Sequence, residues 1–149
     1  MNYLLDTNIV LLSIRSEHFR HFLLEKYFST TQIPIISVVS IGELRSLAIR
    51  NDWGENKWLK MSKILDSFLV SDIHSEDIIQ RYAEIDAFSQ GKTKLNVSFS
   101  AKNMEKNDLW IAATTSILSA TLLTTDKDFD HLNDIFLKVE RIDYKNILL

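Results

Sequence analysis

The chain has 149 residues, 46% apolar and 25% charged, with a formal net charge of −3, a balance that predicts one soluble globular domain over residues 1–149. It has no cysteine, which excludes disulfides, thiolate zinc sites and cysteine nucleophiles and is compatible with the cytoplasm. Asp6 and Asn8 interrupt the first apolar run, and no segment reaches the roughly 20 apolar residues of a membrane helix, so neither a signal peptide nor a membrane span is expected.

The first 65 residues alternate apolar runs with segments of helical spacing. Short apolar runs, the second of them rich in β-branched residues, predict buried strands at Tyr3–Leu5 and Ile33–Val39. Apolar residues three or four positions apart predict helices at Ser16–Phe28 and, directly after the second strand, at Ile41–Asn51. Gly54 predicts a break before one more helix, which ends near residue 65.

The rest of the chain continues this alternation and adds a polar loop. Helices are predicted at Ser75–Gln90 and Asn107–Ala120, with the basic loop Gly91–Asn103 between them. Three further strands are predicted, at Phe68–Ile73, Thr121–Thr125 and, with the alternation of an edge strand, Phe136–Ile142. Strands that alternate with helices indicate a three-layer α/β/α fold, whose central sheet has about five mostly parallel strands.

Four acidic residues fall at the ends of the predicted elements. Asp6 and Asp126 directly follow the first and fourth strands. Glu43 lies in the first turn of the helix after the second strand, and Asp108 begins the helix that leads into the fourth. In a parallel sheet all these points lie at the carboxyl edge, where open α/β sheets bind ligands. Because converging carboxylates repel one another and hard cations such as Mg²⁺ or Mn²⁺ compensate best, the pattern predicts metal-dependent phosphoryl chemistry.

Each acid also has a purely structural interpretation. Asp6 can close a turn or cap a helix, and Asp108 can stabilise a helix start through the helix dipole. Ser40 and Glu43 have the spacing of a capping box, and the acids after the fourth strand can cap a short helix. For any one of these residues capping is the favoured interpretation. Four acids collected at the functional edge of one sheet favour a site.

Four segments carry these acids in a distinctive order: Tyr3–Asn8, Ser37–Leu44, Asn107–Thr114 and Leu122–Phe129. Together they resemble the PIN domain and, more narrowly, the toxin of the VapBC toxin–antitoxin family. The resemblance extends over nearly the whole chain. Any one segment alone would be weak, but all four in this order make a specific pattern.

The resemblance implies a Mg²⁺- or Mn²⁺-dependent endoribonuclease that cleaves tRNA or another structured RNA and leaves 5′-phosphate and 3′-hydroxyl ends. The acids that would hold the metal are Asp6, Glu43, Asp108 and Asp126. Asp128 is a candidate fifth acid, and Asn8 and Thr124 would orient carboxylates through hydrogen bonds. The family also implies a homodimer and an antitoxin protein that occupies the groove.

One segment departs from compact members of the family. The stretch between Gly91 and Asp108 is long, and its extra residues, Thr93–Asn103, are expected to form an extended loop or hairpin near the site. Four lysines of this region fit an RNA path beside the acids and an ordinary solvated loop equally well: Lys92, Lys94, Lys102 and Lys106.

Other functions remain open at this level. A nuclease acting on DNA or on a flap would use the same acids, and a catalytically silent PIN-like module would bind RNA or a protein partner without cleavage. A phosphatase of the haloacid dehalogenase type needs a second acid two residues after the first, where this chain has Asn8. A response-regulator receiver needs a paired acid and a late lysine that the pattern does not supply.

Overall fold

The computed structural model describes residues 2–29, 32–94 and 99–147. The strands are β1 (Tyr3–Leu5), β2 (Ile35–Ser37), β3 (Leu69–Ser71), β4 (Thr121–Thr124) and β5 (Lys138–Arg141). The helices are α1 (Thr7–Arg15), α2 (Glu17–Lys26), α3 (Val38–Arg50), α4 (Glu55–Asp66), α5 (Glu76–Ser89) and α6 (Lys106–Ile117), with short 3₁₀ helices at Lys127–Leu132 and Tyr144–Asn146. None of the helices in these ranges is long and apolar enough to span a membrane.

The five strands form one sheet in the order β3-β2-β1-β4-β5, and all neighbouring pairs are parallel. Side chains of the central strands alternate between two hydrophobic cores. Leu4 and Leu122 pack with α5 and α6, whereas Leu5 and Leu123 pack with α1 to α4 on the other face. Strands buried on both faces require continuous apolar runs. The three-layer fold with a parallel sheet that the sequence predicts is confirmed.

Leu122→Ala is expected to lower the free energy of unfolding by about 2–5 kcal/mol, because it leaves a cavity in a closely packed core. Leu122 is fully buried (0% exposed). The same substitution at Leu59 of α4, a residue that is 53% exposed, is expected to change the free energy of unfolding by less than about 0.5 kcal/mol. Urea unfolding of both variants measures the difference, and equal losses would contradict this account of the core.

The N-terminal helical region differs from the sequence-based prediction. The helix predicted at Ser16–Phe28 is present as α2, but an unpredicted helix, α1, precedes it and ends at Arg15. The Ser16 backbone is extended, and its hydroxyl accepts a hydrogen bond from the Phe19 N–H at 3.1 Å, which caps α2. Helix α1 buries Ile9, Val10 and Ile14 and half-buries its other apolar residues. The buried residues of α1 recur three and four positions apart, so helical spacing was present in the sequence although no helix was predicted there.

Helix α3 begins earlier than predicted. The sequence predicts a strand to Val39 and a helix start at Ser40, but the Ser37 hydroxyl accepts a hydrogen bond from the Val39 N–H at 3.1 Å and starts the helix at Val38. The capping-box interpretation of Ser40 is therefore wrong. Glu43 lies in the second turn of α3 rather than the first.

Helix α6 is shorter than predicted and begins one residue earlier. It ends at Ile117 because Ser119 adopts a left-handed backbone conformation with φ of 52°. Asp108 is consequently the third residue of α6, where the helix dipole favours a carboxylate. Strands β3, β4 and β5 are shorter than predicted, and β5 lies at an edge of the sheet as expected.

The segment between α5 and α6 contains no strand in its described residues, 90–94 and 99–105, while residues 95–98 of the predicted loop or hairpin lie outside the description. Its second part packs on the domain. The Lys102 N–H donates to the Ser89 carbonyl at 2.7 Å, and the Phe99 ring lies 5.1 Å from that of Phe88. The segment therefore adjoins α5.

Candidate metal centre

The order of the sheet reverses between β1 and β4, which are neighbours in space although they are far apart in the chain. Ligands of open parallel sheets bind outside the carboxyl ends of the strands at such a reversal. Asp6 directly follows β1, and Asp126 is the second residue after β4. Each therefore lies at the carboxyl end of a strand that flanks the reversal.

A cavity of about 200 Å³ opens at this point. Its lining residues are Asp6, Thr7, Asn8, Glu43, Glu105, Asp108, Asp126 and Asp128. All four acids singled out in the sequence are among them, together with Asn8 and Asp128. Helix α3 supplies Glu43 and the first turn of α6 supplies Asp108, so four separate parts of the fold contribute carboxylates.

Three of these carboxylates form a closer group. Asp108, Asp126 and Asp128 each offer an oxygen atom, and these oxygens lie within 4.8 Å of one another. Asp6 and Glu43 line the same cavity but do not belong to this close group. The sequence offers Asp128 only as a candidate fifth acid, but in the structure it belongs to the same close group as Asp108 and Asp126.

Asp6 is buried, and each of its carboxylate oxygens accepts a hydrogen bond. The Thr124 hydroxyl donates to Oδ2 at 2.7 Å, and the Thr7 N–H donates to Oδ1 at 2.8 Å. The second bond makes Asp6 the N-cap of α1, so the capping interpretation and a place in the site hold together. Burial raises the pKa of Asp6 to about 6, against the lowering effect of these bonds and with further repulsion from Glu43 and Asp126.

The pKa of Asp108 is raised further, to about 7. Burial is the largest cause, and repulsion from Asp6, Asp126, Glu105 and Glu43 follows in that order. Within residues 2–29, 32–94 and 99–147, no lysine or arginine forms an ion pair with an acid of the cavity. The ionised carboxylates of the cavity therefore carry negative charge that no ion pair within the described part of the chain balances.

Glu43 is fixed by a neighbour that sequence analysis missed. The Thr7 hydroxyl donates to Glu43 Oε1 at 2.8 Å and lies 2.8 Å from the Ser40 hydroxyl. This contact joins the start of α1 to α3 across the mouth of the cavity. Because Thr7 lies between Asp6 and Asn8 in the sequence, its position could have indicated a role in the site. The sequence does not show that its partner is Glu43, 36 residues away.

Glu105 is a second residue that sequence analysis missed. It occupies the N-cap position of α6, lines the cavity and contributes to the raised pKa of Asp108. Its position three residues before Asp108 could have indicated it. Asn8 also lines the cavity, but its exposed side chain makes no hydrogen bond to a carboxylate in the described part of the chain. Its orienting role stays a prediction.

The residues of the cavity fit a hard divalent cation. Its titratable donors are all carboxylates, without histidine or cysteine, and oxygen ligands of this kind suit Mg²⁺ or Mn²⁺ rather than zinc. The raised pKa values of Asp6 and Asp108 show that added positive charge would stabilise the ionised cluster. The close group of Asp108, Asp126 and Asp128 is the part best placed to share one cation.

Comparison with known families agrees with this geometry. Residues 3–135 match the PIN domain family. This chain belongs to the PIN domain family. The matched range includes every lining residue of the cavity and four of the five strands, β1 to β4. Among curated proteins, none matches this PIN domain significantly in sequence.

Solved structures with similar folds include toxin–antitoxin complexes. VapBC2 from Rickettsia felis, bound to a DNA fragment from their promoter, has 23% identity and a TM-score of 0.76 over 96% of this chain and 100% of that chain. VapBC from Salmonella typhimurium, bound to DNA, has 17% identity and a TM-score of 0.71 over 95% and 98%. VapBC-1 from nontypeable Haemophilus influenzae has 23% identity and a TM-score of 0.68 over 95% and 98%. At these identities the likeness establishes the fold.

Proposed function

We propose that this PIN domain is a VapC-type toxin, a metal-dependent endoribonuclease that cleaves tRNA or another structured RNA. The observation that carries the proposal is the cavity in which five acids converge at the carboxyl edge, with no lysine or arginine of the described residues paired to them: Asp6, Glu43, Asp108, Asp126 and Asp128. A binding module would gain nothing from such a repulsive cluster, whereas a nuclease requires it.

Asp108, Asp126 and Asp128 would hold one Mg²⁺ or Mn²⁺ ion, and Asp6 and Glu43 would complete the site from the other side of the cavity. Divalent cations, when bound, would neutralise the carboxylates, favour ionisation of a water molecule and stabilise the negative charge on a departing oxygen. Thr124 and Thr7 keep Asp6 and Glu43 in place through the hydrogen bonds they donate.

The reaction would be hydrolysis of an RNA phosphodiester. Water attacks phosphorus in line, the bond from phosphorus to O3′ breaks, and O3′ takes up a proton, which leaves a 5′-phosphate and a 3′-hydroxyl. The proposal assigns the attack to water, and it assigns the Thr7 hydroxyl, which donates to Glu43, to holding that carboxylate in place. The acids would contribute by holding the cations at fixed positions, so that positive charge is in place before the phosphate reacts.

An antitoxin protein would cover the groove beside the acid cavity. This groove, of about 710 Å³, shares Thr7, Asn8 and Glu43 with the cavity and has apolar walls that include Leu47 and Trp110. A groove with both apolar and polar walls suits an amphipathic segment of a partner. The similar solved structures include VapBC complexes, which supports an antitoxin for this chain. We propose a homodimer as well, which a measurement of mass in solution tests.

The test of the proposed activity is incubation of the purified protein, free of any partner, with total tRNA in Mg²⁺ or Mn²⁺. Cleavage should stop on addition of EDTA and return with excess metal. The products should carry 3′-hydroxyl ends that poly(A) polymerase extends directly. Cleavage that persists in EDTA, or 2′,3′-cyclic phosphate ends, would contradict the metal-dependent mechanism. Intact tRNA, ribosomal RNA and messenger RNA together with tight binding would favour the silent binding module.

Thr7→Val is expected to weaken Mn²⁺ binding about 10- to 100-fold, the usual cost of removing a hydrogen-bond donor that orients a metal-binding carboxylate. Valine has nearly the same shape as threonine and keeps the N–H that donates to Asp6, so the variant loses only the hydroxyl contacts with Glu43 and Ser40. Isothermal titration with Mn²⁺ measures the change.

Thr7→Ser is the matched control, since it retains the hydroxyl and should bind Mn²⁺ nearly as well as the unaltered protein. Equal Mn²⁺ affinity in the valine and serine variants would show that the bond from Thr7 to Glu43 does not position a metal ligand.

A further inference from the structure

A second cavity, of about 600 Å³, lies on the β4–β5 side of the carboxyl edge. Its lining residues are Thr125, Arg141, Ile142, Asp143, Tyr144 and Lys145. None of them belongs to the acid cavity, and the role proposed above does not use them. Two of the six are cationic, so this cavity differs in charge from its acidic neighbour.

The two cavities are joined through the end of β4. Thr125 of the second cavity is the residue before Asp126. Arg141 is the register partner of Thr124, whose hydroxyl donates to Asp6, and the Ile142 N–H donates to the Thr124 carbonyl at 2.8 Å. Neighbouring strands are about 4.8 Å apart, so the backbone of Arg141 is one strand away from a residue that contacts the acid cluster.

The cationic groups of this cavity are weakly engaged within the chain. The closest ion-pair contact of Arg141, Nη1 to Asp130 Oδ2, is 3.5 Å long, and both side chains are about half exposed, so the pair adds little stability. Asp143 turns its carboxylate into its own turn, where Oδ1 accepts from the Lys145 N–H at 3.3 Å and Oδ2 accepts from the Asn146 amide at 2.9 Å. Arg141 and Lys145 are both exposed.

The groove on the opposite side of the acid cavity has a different character. Of its lining residues one is cationic, Arg50, and one is acidic, Glu43, and the others are polar or apolar residues, most of them in α1, α3 and α6. A polyanionic strand that approaches the acid cavity meets repulsion from the carboxylates and needs cationic side chains beside them. Between the two grooves, the β4–β5 side offers the higher cationic content and the smaller apolar wall.

We propose that Arg141 and Lys145 bind phosphates of the RNA strand that flank the scissile bond, so that the substrate runs across the β4–β5 side of the acid cavity. This inference rests on the proposed ribonuclease function and adds the path of the substrate to it. Arginine can contact a phosphate with two N–H groups, whereas lysine acts as a point charge. Contacts of this kind bind single-stranded RNA without regard to base sequence and weaken as salt rises.

The test measures binding of a fluorescein-labelled oligouridine by fluorescence anisotropy. The oligonucleotide has about 12 nucleotides, a length within the usual range of single-strand binding sites. An Asp6→Asn background limits cleavage, and the titrations run in Mg²⁺ between about 50 and about 200 mM salt. Arg141→Gln and Lys145→Gln should each reduce the slope of log affinity against log salt by about 0.7, the value for one phosphate contact on a single strand. When the same two substitutions are made in the chain that retains Asp6, KM for RNA cleavage should rise relative to the unaltered protein and kcat should stay unchanged.

Lys138→Gln is the matched control. Lys138 begins β5, three residues before Arg141, and it also pairs with an aspartate, Asp134. It lies at the amino end of the strand, away from the acid cavity, and its removal should leave the salt slope unchanged.

The outcomes separate this inference from the function on which it rests. RNA cleavage together with wild-type salt slopes for Arg141→Gln and Lys145→Gln would overturn only the substrate path. A slope that falls equally in Lys138→Gln would overturn it as well, because the effect would then reflect net charge alone. If the unaltered chain neither binds nor cleaves RNA, the proposed function and the substrate path are both overturned.

Discussion

Asp6→Asn is expected to reduce RNA cleavage at least about 10³-fold, since loss of one metal-holding acid can empty a metal position. Asp6 is 5% exposed and is the one buried carboxylate among the lining residues of the cavity, and both its oxygens are held by hydrogen bonds. It lies at the reversal of strand order, where every other acid of the cavity converges. An uncharged side chain there would remove the fixed negative charge at this point.

The fold of this variant should survive. Asparagine has nearly the same size as aspartate, is an equally good N-cap and can still accept the bond from the Thr7 N–H. Thr124 can reverse its hydroxyl and accept from the new amide, because a hydroxyl oxygen has a second lone pair beyond the one that accepts from the Asp126 N–H. Loss of a buried charge also removes repulsion within the cluster.

Rates of tRNA cleavage and thermal unfolding of the same preparations measure both halves of this expectation. Asp134→Asn is the control, since Asp134 is an exposed acid that pairs with Lys138 and does not line the cavity. Residual cleavage by Asp6→Asn within tenfold of the unaltered protein would contradict the role of Asp6. Equal losses in both variants would point to a general effect of charge.

The stability of the metal-free protein should fall as pH rises from about 4 to about 7. Both Asp6 and Asp108 have pKa values above the usual 3.8, about 6 and about 7, so the folded chain binds more protons than the unfolded chain within this window. Stability therefore decreases with pH until both groups have ionised. For Asp6 alone, the rise in pKa corresponds to about 3 kcal/mol, at about 1.4 kcal/mol per pKa unit.

Divalent metal should reverse this loss, because it binds the ionised carboxylates of the folded chain. The increase in melting temperature on adding Mn²⁺ is expected to be small near pH 5 and large near pH 8, where metal at 100 times its Kd adds about 2.7 kcal/mol. Melting curves in EDTA and in Mn²⁺ across this range measure it. Asp6→Asn should flatten the metal-free pH dependence. An equal Mn²⁺ effect at both pH values would contradict the assignment of the cluster as the metal site.

Much of the fold and part of the site can be predicted from the sequence. Continuous apolar runs predict strands buried on both faces, and their alternation with helices predicts the parallel three-layer sheet. Because strand ends of a parallel sheet share one edge, acids after β1 and β4 are expected to meet there, and the structure places Asp6, Glu43, Asp108 and Asp126 in one cavity. Local patterns suffice for these features, since they depend on strand direction and element order.

The tertiary structure alone decided the finer arrangement. The sequence does not reveal that Asp128 joins Asp108 and Asp126 in the closest group, because that depends on how the 3₁₀ helix after β4 turns back towards α6. The family resemblance implies that Thr124 orients a carboxylate, but it does not identify Asp6, 118 residues away, as the partner, and the contact from Thr7 to Glu43 was not expected at all. Helix α1 also went unpredicted, although Asp6, its capping residue, was considered as a helix cap. Such contacts depend on side-chain positions set by packing of distant segments, whereas the positions of the acids along the chain were determined by the sequence itself.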